Sequence, residues 1–66
     1  MPKSTRDTAQ RELDRSVGNI EWANTHILRT AQVYLERHPE IADPLITASD
    51  LLDEVVKLVK AVRYSF

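Results

Sequence analysis

Sixty-six residues carrying nine basic and ten acidic side chains, for a formal charge of −1, make one small domain with no global pull toward nucleic acid or a membrane surface. The absence of cysteine excludes disulfides and thiolate metal sites, which leaves oligomerisation as the means of supplementing the modest core of so short a chain. No apolar run approaches the roughly 20 residues of a membrane span, and the opening Met1-Pro2-Lys3-Ser4 lacks the apolar centre of a signal peptide, so a cytoplasmic location is expected.

Met1 to Lys3 reads as a loose end, after which Ser4 or Thr5 can cap a helix with Asp7 in its first turn. Apolar or small residues then recur at Ala9, Leu13, Val17, Ile20, Ile27, Ala31 and Tyr34. With Leu13, Ile20, Ile27 and Tyr34 at d, positions a hold Val17, Asn24 and Ala31. This phase predicts one amphipathic helix over about residues 5–37. An alternative reading starts the main helix at Ile20 and leaves a separate short helix before Gly18, because glycine costs about 1 kcal/mol relative to alanine in a helix and asparagine is a good N-cap. Continuity is the preferred reading, since Leu13 and Val17 stay in phase with Ile20.

His38 precedes a proline and is pushed out of the α region, so a turn is placed at residues 38–43, with room for one helical turn of its own. Asp43-Pro44 then reads as an N-cap followed by proline at N1, with Ser49 as a competing start. The second helix is expected over about residues 44–64. It carries Asp50, Asp53 and Glu54 early and Lys57, Lys60 and Arg63 late, in keeping with its dipole. Its apolar residues fall at Leu45, Ala48, Leu52, Val55, Val59, Val62 and Phe66, a heptad seam, with Leu51 and Leu58 in a flanking row and Val56 on the other side. Such an arc covers nearly half the circumference, more than one neighbouring helix can hide. The expected fold is therefore all-α: an antiparallel two-helix hairpin dimerising into a four-helix bundle. Leu45, Leu51, Leu52, Val55, Leu58, Val59, Val62 and Phe66 are its expected oligomer core. Asn24, at a core a position, is either an edge residue reaching water or a buried group that fixes register.

Chemistry-bearing patterns are scarce. His26 and His38 lie about 120° apart on the first helix's wheel and cannot share a metal as an i,i+4 pair would. His38 with Glu36 and Glu40 makes at best a poor carboxylate–imidazole site at the turn. Ser4, Ser16, Ser49 and Ser65 have no histidine at a spacing that suggests a nucleophilic triad. Neither an enzyme nor a cofactor is expected. One feature departs from a plain bundle: opposite the first helix's seam, Arg11, Arg15, Trp22, His26, Arg29 and Val33 share roughly 60° of arc. Arginine interleaved with an aromatic suits a protein-binding hot spot, and it equally suits gripping phosphates and stacking on unpaired bases.

A hairpin of this length dimerising into four helices resembles, in size and layout, the plasmid-encoded repressor of primer family. Members of that family bind paired RNA loops through the outer face of their first helices, so the resemblance favours an RNA ligand and names no site. No residue motif links Arg15, Trp22 or Arg29 to that family. The function expected from the sequence is a self-associating helical interaction or regulatory module that binds a protein partner, with a small nucleic-acid-binding regulator as the alternative.

Overall fold

A computed structural model describes residues 2–65, with side chains from residue 5 to residue 65. Two helices, α1 (Pro2–Tyr34) and α2 (Pro39–Tyr64), form an antiparallel hairpin with no strand among the described residues. The all-α hairpin read from periodicity is thus the fold. Phe66 lies outside the described residues, as does Met1 of the expected loose end, whereas Pro2 and Lys3 are already helical. Ser4 and Thr5 therefore sit inside the first turns and not at a cap.

Helix α1 runs unbroken through Gly18, for all its 33 residues. Its seam keeps one phase along that length: Leu13, Val17, Ile20, Asn24, Ile27 and Tyr34 are half-buried and Ala31 is buried. Ser16, Thr25 and Thr30 are accommodated within the helix because each hydroxyl donates to the carbonyl four residues back, at 3.0–3.1 Å. The helix stops at Tyr34, a turn short of expectation. Residues 35–37 form a turn, and His38 N–H closes it by donating to Tyr34 O at 2.8 Å.

The start of α2 differs from the expected one. His38 adopts φ −139°, ψ 67°, outside the α region that a following proline disfavours, and Pro39 takes the first helical position, where no N–H is needed. Ile41 and Ala42 N–H then donate to His38 O at 2.9 and 3.1 Å. Pro44 is left inside the helix, at a cost on the order of 3 kcal/mol. The early start carries α2 one turn further along α1 and buries Ala42 completely. At the other end, Arg63 sits in the last turn, where a cation favours the dipole, and Ser65 N–H donates to Val62 O at 3.0 Å.

Two cross-links fix the relative register. Arg63 Nε donates to Asp14 Oδ1 at 3.0 Å, and Asn24 Nδ2 donates to Asp53 Oδ1 at 3.1 Å. The spacing from Asp14 to Asn24 equals that from Asp53 to Arg63, so both links report the same alignment of the helices. The first ten or so residues of α1 extend beyond the end of α2.

The interior is thin. Only Ala31, Ala42, Ser49 and Val56 are buried among the described residues, and no large side chain is fully buried. The Cα envelope measures 55 × 15 × 10 Å, with a radius of gyration of 15.7 Å, against about 11 Å for a compact domain of this length.

Candidate interaction surfaces

Helix α2 carries two interleaved heptad rows. The first, Ala42, Leu45, Ser49, Leu52, Val56, Val59 and Arg63, is buried or half-buried against α1. The second, Ile41, Pro44, Ala48, Leu51, Val55, Leu58 and Val62, is exposed except at half-buried Ala48. At 100° per residue their centres stand about 100° apart. The expected seam of α2 was a composite: Leu45, Leu52 and Val59 belong to the row against α1, whereas Val55 and Val62 belong to the outer row with Leu51 and Leu58. The four outer residues are 41% to 68% exposed. Within the hairpin, the place given to Val55 is filled by Val56.

The same geometry gives the hairpin two unlike broad sides. One carries the Leu51–Val55–Leu58–Val62 row beside Ser16, Asn19, Ala23 and Thr30 of α1. The other is polar, with a cleft of about 290 Å³ lined by Ile20, Glu21, Asn24, Asp53, Val56, Lys57 and Lys60. Asn24 borders this cleft. Its Nδ2 is held by Asp53, while its Oδ1 is buried without a partner among the described residues. It therefore ties the chain's own two helices together, a role that its sequence position alone did not indicate.

The outer face of α1 carries all six residues singled out there. Arg11, Arg15, Trp22, His26, Arg29 and Val33 are exposed, Trp22 by 61% and Val33 by 73%. The Trp22 and His26 rings meet edge to face, with centroids 4.8 Å apart. Arg15 reaches Glu12 at 3.4 Å, while Arg11 and Arg29 have no ion-pair partner among the described residues. Gly18 lies on this face one turn before Trp22. A Cβ built on it would meet nothing within 4 Å.

At the turn, His38 Nδ1 lies 3.1 Å from Glu40 Oε1, and its ring stands edge-on to Tyr34 with centroids 6.0 Å apart. No group of three or more His, Cys, Asp or Glu able to hold a metal is present among the described residues. Ser65 Oγ donates to Ala61 O at 3.0 Å, as Ser16 Oγ does to Glu12 O, and Ser49 is buried in the hairpin seam. None of these hydroxyls faces a histidine base. Among the described residues, no helix is long and apolar enough to cross a membrane.

No family model matches the chain, and neither a curated protein nor a solved structure gives a match. The likeness in layout to the repressor of primer family consequently brings no functional residue with it, and the two surfaces must be read from their own chemistry.

Proposed function

We propose that this chain is a non-enzymatic, self-associating helical module that works in the cytoplasm as a regulatory or interaction protein, presenting the outer face of α1 to a protein partner. The observation that carries the reading is surface area. The chain exposes 5214 Å², whereas a compact monomer of 7.6 kDa exposes about 4300 Å². The surplus, about 900 Å², resembles the roughly 800 Å² that one partner contributes to a stable protein–protein interface. Much of the exposed apolar surface is ordered as a heptad row, the form in which a helix meets another helix. Self-association of this kind gives a four-helix bundle. Folding and association are then coupled, and the thermal midpoint rises with protein concentration. A midpoint independent of concentration counts directly against the proposal.

The outer face of α1 supports the second half of the reading. Trp22, exposed beside Arg15 and Arg29, has the composition of a binding hot spot. A nucleic-acid ligand is the alternative, favoured by one observation: Arg11 and Arg29 flank Trp22 without carboxylate partners among the described residues. Retention on RNA that weakens with salt and with Arg15→Ala or Arg29→Ala identifies the alternative. Capture of a defined protein partner that is lost on Trp22→Ala identifies the first.

A further inference from the structure

We infer that the outer face of α1 receives an acidic helix of its protein partner, one with a bulky apolar side chain at its centre and a carboxylate about two turns to either side. The inference rests on the reading that this face meets a protein, and adds the chemistry and the spacing of what it meets.

Gly18 is the starting point. It is the chain's only glycine, and it lowers helix stability relative to alanine. Nothing within the hairpin offsets that cost. Its φ is not positive, and no atom lies within 4 Å of where a Cβ would stand. A missing Cβ permits close approach by another group, and here the approach is open from outside. Gly18 is exposed, one turn before Trp22. The Trp22 ring is engaged by His26 on its other side, which leaves the step at Gly18 open. A bare step beside an exposed indole takes one bulky apolar side chain of a neighbouring helix, as a hole takes a knob.

The cations are arranged around that step. Arg15 and Arg29 stand seven residues either side of Trp22, about 10 Å each along the axis. Arg11 and Val33 stand eleven residues either side. Eleven residues make close to three whole turns, so the line runs straight along α1 and suits a straight neighbour. No carboxylate lies on it between Arg11 and Val33. Arg11 and Arg29 have no ion-pair partner among the described residues, and Arg15 has an exposed contact with Glu12 at 3.4 Å, which water and salt weaken. Guanidinium groups so placed are complementary to carboxylates at the same heptad spacing on the partner.

A nucleic acid fits this face less well. Phosphates would use the arginines and a base would use the indole, but neither uses the step at Gly18 or the apolar Val33. A formal charge of −1 also gives a polyanion no long-range attraction.

The test is a displayed library of helical peptides of about three heptads, free of tryptophan and randomised along one face. It is selected on the full chain and counter-selected on Trp22→Ala. Selected peptides are then titrated against the chain, whose only tryptophan is Trp22, by its fluorescence. They should carry Asp or Glu about two turns either side of a large apolar residue, and bind less tightly as salt rises. Arg29→Glu should weaken them several-fold, with affinity recovered when the facing peptide carboxylate is replaced by lysine. Gly18→Ala should also weaken them several-fold while raising the chain's own thermal midpoint, opposite signs that a merely structural role would not give. Peptides without an acidic excess, or indifferent to Arg29→Glu, overturn the inference and leave a protein-binding face standing. Unchanged affinity in Gly18→Ala overturns it too. An RNA oligonucleotide, single-stranded or paired, that binds more tightly than every selected peptide overturns it in favour of nucleic acid. A selection that yields no Trp22-dependent peptide also overturns it, and the protein-partner reading then stands or falls by the Trp22→Ala capture experiment.

Discussion

Gly18→Ala should stabilise the protein by about 1 kcal/mol, although Gly18-Asn19 was the point at which a break in the helix was weighed. Gly18 is helical with no positive φ, so its conformation asks nothing of glycine. The added methyl meets no heavy atom within 4 Å and so brings no clash. What remains is the difference in helix propensity, about 0.8–1.0 kcal/mol in favour of alanine, most of it from the freedom that glycine retains in the unfolded chain. For a domain of this size, 1 kcal/mol corresponds to about 4–8 °C in the thermal midpoint. Thermal melts followed by far-ultraviolet circular dichroism, at matched protein concentration, measure it. An unchanged midpoint would mean that residues around Gly18 are not stably helical. A lowered one would mean that something packs on the bare backbone beside Trp22, and either outcome refutes the argument from an open, continuous helix.

Val56→Asp places a carboxylate in the hairpin's own seam and should abolish folding, whereas Leu58→Asp, at a 68% exposed position, should keep the chain helical at high concentration and weaken association. Equal loss of helicity in both would show that the two rows of α2 are wrongly assigned. Trp22→Ala should shift stability by no more than about 0.5 kcal/mol while lowering partner affinity by about 2 kcal/mol or more. A blue-shifted, iodide-protected Trp22 emission in the purified protein would instead place the indole inside a subunit contact. Asp14→Ala removes an ion pair whose side chains are 31% and 61% exposed, and should cost at most about 1 kcal/mol, less in high salt.

The helices and their pairing were legible because one seam of α1 holds a single phase from Leu13 to Tyr34, and because His38-Pro39 imposes a break that no other stretch imposes. The face of α2 was legible only in part. Its two rows share the same period, and hydropathy ranks Ala48, Val55 and Val62 above Ser49 and Arg63 as core residues. The hairpin ranks them otherwise: the most buried positions of α2 are the small Ala42 and Ser49 together with Val56, while Arg63 reaches the seam's edge to pair with Asp14. Patterning reports how much apolar surface a helix has to hide and is silent on which neighbour hides which part. The start of α2 failed for a related reason. Two prolines, Pro39 and Pro44, each satisfy the local rule for a first helical position, and burial of Ala42 against α1, a tertiary effect, favours the earlier one. Trp22 was placed outward correctly because its position follows from the phase of α1 alone. The partner of Asn24 could not be read, since the Asn24–Asp53 link depends on the register between helices.

Sedimentation equilibrium of the unmodified protein beside Leu58→Asp, over a wide concentration range, tests whether a second copy covers the outer row of α2. The unmodified protein should show a mass of two chains, and Leu58→Asp should dissociate toward 7.6 kDa at concentrations where the unmodified protein stays paired. A stably folded, unmodified protein that remains at 7.6 kDa throughout would contradict it.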